Sequence, residues 1–439
     1  AWATGNYTWN DIYLADFSVR FDGSSDFGSK QRWAPFFSGG LGVNIHNYEF
    51  LKGNEMVNKL KVRASYGRTG KASFPAYAAT TMYEALFDEW YATGFGAVLK
   101  ALGNNNLTWE KTDKFNVGIE MQFLNRRLTV DADYYHDKTI DLVNDVSLSQ
   151  TSGFSSYKDN MGEVLNQGFE LQVRGEVFRN RDWLVALWGN MAHNKNKILK
   201  ISDSQRAYNQ RVKEFYENIV NEEYGRYNSK YGVPISQYEE GQSLTSIWAV
   251  KSLGIDPTTG KEIFLNRDGS VSDTWNATQE VAVGNTEPKF NGSIGFNAAY
   301  KQWSLFAAFQ YEWGGQEYNQ TLVDRVENAR IQYQNVDLRV LTDRWKQPGD
   351  IAQFKDIKNA DSATMPTSRF VQDKAYLRLS ALTLSYDFNR EWIKKYLGMN
   401  MLRLEASTRD FINWNSIRQE RGLSYPKSWT VDFSIKAQF

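Results

Sequence analysis

The sequence predicts an all-β fold, the wall of a transmembrane antiparallel β-barrel with about thirteen strands. Three observations predict it: segments of about ten residues that alternate apolar with polar, connections that alternate short with long, and aromatic residues gathered at strand ends. A barrel strand shows lipid every second residue and shows its lumen the others. The mean hydropathy of -0.57 resembles that of a soluble protein only because averaging hides a period of two. No run of about 18 consecutive apolar residues is present, so a spanning helix is not expected.

The strands follow in order. Phe17, Val19 and Phe21 oppose Asp16, Ser18 and Arg20, and Leu60, Val62, Ala64 and Tyr66 oppose Lys61, Arg63 and Ser65. Phe115, Val117, Ile119, Met121 and Phe123 oppose Lys114, Asn116, Glu120 and Gln122. After a short turn at Asn125 and Arg126, the chain returns with Leu128, Val130, Ala132 and Tyr134 against Arg127, Thr129, Asp131 and Asp133. That hairpin keeps one apolar face throughout. Phe169, Leu171, Val173 and Val177 alternate with Glu170, Gln172, Arg174 and Glu176, and Trp183, Val185, Leu187 and Met191 run back. Segment 292–300 turns at Lys301 and Gln302 into Trp303, Leu305, Ala307, Phe309, Tyr311 and Trp313. Strands at 376–388 and 401–409 follow; in the former the apolar phase slips from Leu377 and Leu379 to Leu382 and Leu384, which predicts a bulge. Residues 429–439 are the cleanest strand, with Trp429, Val431, Phe433, Ile435, Ala437 and Phe439 on one face.

Short turns fall at Asn10 and Asp11, 124–127, 179–182 and 301–302, with moderate ones near 47–58 and 389–400. Long excursions lie between them at 22–36, 68–106, 140–160, 195–288, 315–374 and 412–427. Outer-membrane barrels pair short periplasmic turns with long extracellular loops in this way. If the last strand runs down into the periplasm, counting backward puts every short turn inside and every long loop outside, provided 243–288 adds none or two strands to the wall. A loop hairpin is expected there, from Trp248–Leu253 and Glu262–Leu265. Residues 1–439 thus read as part of one barrel domain whose principal extracellular loops are 195–288 and 315–374. The chain opens at Ala1, without Met or signal peptide, and a strand end follows at once, which predicts a piece of a longer polypeptide.

The balance of 51 basic and 51 acidic residues, with pI near 7.1, gives no basic excess for a nucleic-acid partner. No cysteine is present and only three histidines, His46, His136 and His193, so neither a thiolate nor an imidazole metal centre is expected, and no cofactor. No glycine-rich phosphate loop opens a helix and no histidine sits in a nucleophile context, so an enzyme is not expected. Asn266-Arg267-Asp268-Gly269 fails as a calcium loop, because Phe264 and Trp275 would take positions that require carboxylates; a turn is the better account. A turn also accounts for Asp22-Gly23-Ser24-Ser25, with glycine admitting positive φ. Asp131, Asp133, Glu163, Glu170 and Glu176 are expected on the lumenal side, since a carboxylate is disfavoured against lipid. Two loop helices are expected, one presenting Tyr208, Val212, Phe215 and Ile219, the other Val336, Val340, Leu341 and Trp345.

Several longer stretches carry a family likeness. RFDGSSDFGSKQRWAPF (20–36), EFLKGNEMVNKLKVRASYGRTG (49–70), GNNNLTWEKTDKFNVGIEMQFLNRRLTVDADYYHDKTIDLV (103–143), NMGEVLNQGFEL (160–171), VGNTEPKFNGSIGF (283–296), LTDRWKQPGD (341–350) and AYLRLSALTLSYDF (375–388) run in order along the chain. Together they resemble the SusC-like family of TonB-dependent outer-membrane transporters. The resemblance implies a barrel plugged by an N-terminal domain outside these residues, a SusD-like surface lipoprotein as lid, and a TonB complex contacted through the missing N-terminal region. It implies import of oligosaccharides or peptides through a wall embedded in outer-membrane lipids. Thirteen strands are somewhat over half of a wall of about 22. A passive porin or a structural outer-membrane barrel would satisfy the strand pattern equally well.

On the expected outer loops, the rings of Trp90, Tyr91, Trp248 and Trp275 are candidates for stacking on substrate or lid, with loop packing as the other reading. The unbroken alternation of Trp429, Val431, Phe433, Ile435 and Phe439 marks the last strand as a candidate assembly signal, or as part of the periplasmic aromatic girdle.

Overall fold

The computed structural model describes the whole chain except residues 25–31, 72–78, 93, 105, 148–155, 161, 222–231, 330–335, 360–363, 389 and 418–429. Its main sheet is an antiparallel path of wall strands: β1 (Trp2–Trp9), β2 (Tyr13–Gly23), β3 (Trp33–Asn44), β4 (Val57–Lys71), β5 (Glu110–Phe123), β6 (Leu128–Ile140), β7 (Glu163–Arg179), β8 (Trp183–Lys200), β9 (Phe290–Tyr300), β10 (Trp303–Tyr318), β11 (Val371–Asp387), β12 (Met401–Arg409) and β13 (Thr430–Gln438). Each strand pairs with its neighbours in chain order, and β1 and β13 are not paired with each other. Nothing from 243–288 joins the wall. Ser246–Ala249 pairs with Val281–Asn285, and Lys251–Ile255, Glu262–Leu265 and Val271–Ser272 form a separate small sheet.

Register explains the two faces. Val117, Ile119 and Met121 of β5 lie opposite Tyr134, Ala132 and Val130 of β6, while Glu120 and Gln122 lie opposite Asp131 and Thr129. The connecting turn needs left-handed backbone at Leu124, Asn125 and Arg126, with φ of 55°, 55° and 66°. Asn10, Asp11 and Lys301 take the same region in the other tight turns. The expected bulge is present. Phe309 pairs with Leu379 and Ala308 with Ala381, leaving Ser380 as the extra residue, whose hydroxyl donates to the Ala308 carbonyl at 2.9 Å.

Two aromatic rows bound the apolar face. At the short-turn end, Trp183 contacts Tyr300 (ring centroids 4.5 Å apart) and Trp303 contacts Tyr386 (4.8 Å). Toward the long loops, Phe169, His193, Phe290 and Trp313 form a chain of ring contacts between 5.4 and 6.3 Å. On β8, β9 and β10 the rows lie about ten residues apart, roughly 34 Å of strand, which at a tilt near 45° spans about 24 Å of height. That matches the apolar band of a membrane barrel.

Some local expectations are corrected. Gly23 is not in a turn; it pairs with Trp33 at the end of β2, and a Cβ there would meet the Trp33 indole at 2.7 Å. The glycine makes room for a ring that stacks on Phe21. Glu163 lies an odd number of residues from Glu170, so it falls on the opposite face of β7, where Lys138 holds it at 2.7 Å. Helix α1 (Asp203–Asn221) forms as expected but buries Val212 and Tyr216, leaving Phe215 exposed; Ile219 lies outside the described side chains. The second helix is the single turn Arg339–Thr342, with Val340 buried and Leu341 exposed. A further helix, α2 (Arg390–Leu397), occupies the connection between β11 and β12.

Candidate functional site

The polar face of the wall carries an unbroken hydrophilic belt. Lys61, Glu120, Asp131, Gln172, Asn190, Ser293, Gln310 and Arg378 lie opposite one another in successive strands from β4 to β11. Neighbouring charges tie the belt together. Lys59 meets Glu120 at 2.6 Å, and Arg63 meets Asp133 at 2.6 Å while donating to Asn116 at 2.9 Å. Asp131, Asp133, Glu170 and Glu312 line a groove of about 500 Å³ with Gln172, Asn190 and Tyr376. Such a surface suits a hydrated path; Glu120 lies opposite Asp131 and Asp133 opposite Glu170 across neighbouring strands, with Lys59 and Arg63 among them as counter-charges. Among the described residues, no cluster of three or more His, Cys, Asp or Glu could hold a metal ion.

The second feature stands at the long-loop end. The described residues of 201–289 and 319–370 pack together as one body. Val250 and Thr367 form a parallel bridge, Val250 N donates to Pro366 O at 3.1 Å, and Trp345 Nε1 donates to Pro257 O at 2.9 Å. One apolar cluster joins Val212 and Tyr216 of α1 to Val250, Phe264, Trp275 and Ala277. Another gathers Leu322, Val323, Val326, Ala329, Val340, Phe354 and Phe370.

Between them lies a charged centre that the sequence did not announce. Arg369 pairs with Glu327 at 2.6 Å and Glu262 at 2.9 Å, all three nearly or fully buried. Arg344 donates to the carbonyls of Lys355, Val326 and Glu327. Two carboxylates beside Arg369 hold its guanidinium firmly protonated despite burial, whereas burial pushes the Lys355 amine down to about 8. In the neighbouring cluster, burial pushes Glu280 up to about 8, against the opposing effect of its hydrogen bond from Gln237. The acids and bases come from positions far apart in sequence, and nothing in their local spacing marks them as partners.

The candidate rings divide. Trp248 is 1% exposed and Trp275 8%, and the Trp275 Nε1 donates to Pro366 O at 2.9 Å. Burial in the loop core favours the packing reading for these two rings over stacking on a substrate. Trp90 and Tyr91 close the strand Met82–Tyr91, paired with Gly94–Ala101 in a hairpin off the wall, and their side chains lie outside the described set. In β13, Val431, Phe433 and Ile435 lie opposite Thr408, Ala406 and Leu404 on the apolar face and are widely exposed, as is Phe439; Trp429 lies outside the described residues.

Known proteins share this fold. The family model described as "TonB dependent receptor-like, beta-barrel" matches residues 1–407. TonB-dependent receptor P3 of Formosa agariphila is 27% identical over 416 residues, covering 93% of this chain and 40% of its own. TonB-dependent receptor SusC of Bacteroides thetaiotaomicron is 33% identical over 207 residues, covering 45% of this chain and 20% of its own. The RagAB peptide transporter structure superposes with a TM-score of 0.77 at 24% identity, over 95% of this chain and 44% of that one. The chain spans less than half the length of these relatives. Alternating strands, a polar belt, paired aromatic rows and the match over residues 1–407 lead to one conclusion: the chain belongs to the TonB-dependent receptor-like β-barrel family of the outer membrane.

Proposed function

We propose that this chain is wall and outer loops of a nutrient importer that takes up oligosaccharides or peptides, with a SusD-like lipoprotein as lid and a TonB complex acting through a segment outside these residues. The observation that carries this reading is the fusion of the two longest connections into one packed body at the end of a polar-lined wall. Loops of that length with their own core are rarely spacers, and a folded platform gives a lid something rigid to seat on. The likeness to SusC and to the RagAB peptide transporter supports the class. In this reading the long loops face outward, the C-terminus lies on the periplasmic side, and Trp90 and Tyr91 belong to the contact region. The exposed apolar face of β13 is then the element read by the insertion machinery; deleting Phe439 lowers inserted yield while the inserted fraction keeps its heat stability.

The test is purification from the native membrane together with uptake in a strain lacking TonB. A co-purifying surface lipoprotein and uptake abolished without TonB are expected. Uptake that persists without TonB, from a protein that purifies without any lipoprotein, would make the chain a passive channel.

A further inference from the structure

The aromatic row at the short-turn end does not stop at the wall. From Trp303 the ring contacts pass to Tyr386 at 4.8 Å, to Phe388 at 5.0 Å, to Trp392 at 6.0 Å and to Tyr396 at 5.8 Å. The last two residues sit four apart on α2, so the lipid-facing face of β10 and β11 continues onto one side of a helix. Among the described side chains of the helix Ile393 is the buried one, 1% exposed, and α2 lies against β12. Trp392, Tyr396 and Leu397 are exposed instead. The chain leaves the helix through Gly398 at φ 67° and is pinned by Asn400 N donating to Gln438 O at 2.7 Å. The helix is thus held in place while most of its apolar surface is left uncovered.

Lys395 stands beside the Tyr396 ring, while Lys394 lies on the side of α2 away from Trp392 and Tyr396. Lys394 and Lys395 are exposed, and neither is in an ion pair among the described residues; Lys395 Nζ lies 5.3 Å from the Tyr396 ring centroid. On the neighbouring turn, Lys301 Nζ lies 5.3 Å from the ring centroid of Tyr300, the ring in contact with Trp183. Exposed rings favour the headgroup level of a bilayer, and adjoining lysines are drawn to anionic headgroups. Because the ring chain is continuous with the lipid-facing row, the helix shares that row's exposure to the membrane.

We propose that α2 is an interfacial helix seated on anionic glycerophospholipid of the leaflet at the short-turn end. Its rings lie among the upper acyl carbons and Lys395, beside them, contacts phosphate. The anchored helix fixes the depth of the wall beside the β11–β12 connection.

The complete protein is tested in detergent by native mass spectrometry with added phosphatidylglycerol or phosphatidylcholine. Wild type retains phosphatidylglycerol preferentially, and the double variant Lys394→Glu, Lys395→Glu weakens that preference on the order of tenfold. Lys213→Glu, on the long-loop body, leaves it unchanged. Heat-modifiable migration establishes that each variant is folded, and Lys394→Gln with Lys395→Gln serves if the charge reversal fails to fold. As a second readout, Tyr396→Cys carries a bimane label in bilayers containing lipids spin-labelled at the headgroup or along the acyl chain. Quenching by shallow labels supports the proposal. Undiminished phosphatidylglycerol preference in the folded lysine variants, or a bimane quenched only by aqueous agents, would overturn it.

Discussion

Arg369 holds Glu327 at 2.6 Å, and the Glu327 side chain has no solvent exposure. The same guanidinium grips Glu262, so one residue joins the small loop sheet to the helical segment after β10. Replacing Arg369 by alanine strands two buried carboxylates, and breaking a buried pair in this way costs about 3–5 kcal/mol. Hydrogen exchange should show faster opening across 262–265 and 323–327 while amides of β5 to β8 keep their protection. Loss of wall protection as well would mean that loops and wall open as one unit.

The loop body should be least stable near pH 8. Glu280 is raised from 4.5 to about 8 by burial, with one carboxyl oxygen accepting from Gln237 and the other without a partner. Between those values the folded loop keeps a proton that the unfolded loop has released, so its stabilising effect is complete below about 4.5 and is lost as pH rises through about 8. Lys355 acts in the next window. Burial lowers it from 10.5 to about 8, so above pH 8 the unfolded loop binds more protons than the folded one, and stability recovers with rising pH. Urea titrations followed through a fluorinated Trp275 should show the minimum. Glu280→Gln should flatten the acid limb and Lys355→Met the alkaline one.

The wall was legible because lipid enforces a strict rule on every strand. Val117 and Glu120 cannot exchange faces without putting a carboxylate into hydrocarbon, so each strand announces its inside and outside. The loop body obeys no such rule. In α1 Phe215 was expected on one face with Tyr208 and Val212, yet the ring buried beside Val212 is that of Tyr216, whose hydroxyl donates to Val233 O at 2.9 Å and accepts from Ile235 N at 3.2 Å. Trp248 and Trp275 allowed both a contact and a packing reading in sequence, because the partner that buries Trp275, the Pro366 carbonyl, lies about ninety positions away. The Glu262–Arg369 pair spans more than a hundred positions, and only the folded loops bring it together.

The two faces should differ sharply in tolerance. Val117→Arg or Leu305→Arg places a guanidinium on the lipid side, at a midplane cost of about 2–4 kcal/mol, and should reduce the heat-modifiable, inserted fraction. Gln122→Arg, on the face that carries Lys59 and Glu120, should insert normally. Equal losses from both would mean that the inside and outside of β5 are assigned wrongly.

Ser380 gives the most direct test of register. Leu377 and Leu379 lie opposite Tyr311 and Phe309, and Leu382 and Leu384 lie opposite Ala307 and Leu305, all on the lipid face. These four leucines can share a face only because Ser380 is skipped between them. Deleting Ser380 should therefore remove the bulge and leave both halves of β11 in phase, with Leu379 and Ala381 as ordinary neighbours. The loss is limited to the hydrogen bond from the Ser380 hydroxyl to Ala308, about 1 kcal/mol. Deleting Thr383 instead, in the regular part of the strand, turns Leu384 and Tyr386 toward the lumen or forces the same slip on β12. Folded yield in the membrane should stay near wild type for the Ser380 deletion and fall steeply for the Thr383 deletion. A Ser380 deletion that fails to insert while the Thr383 deletion succeeds would place the phase change elsewhere in β11.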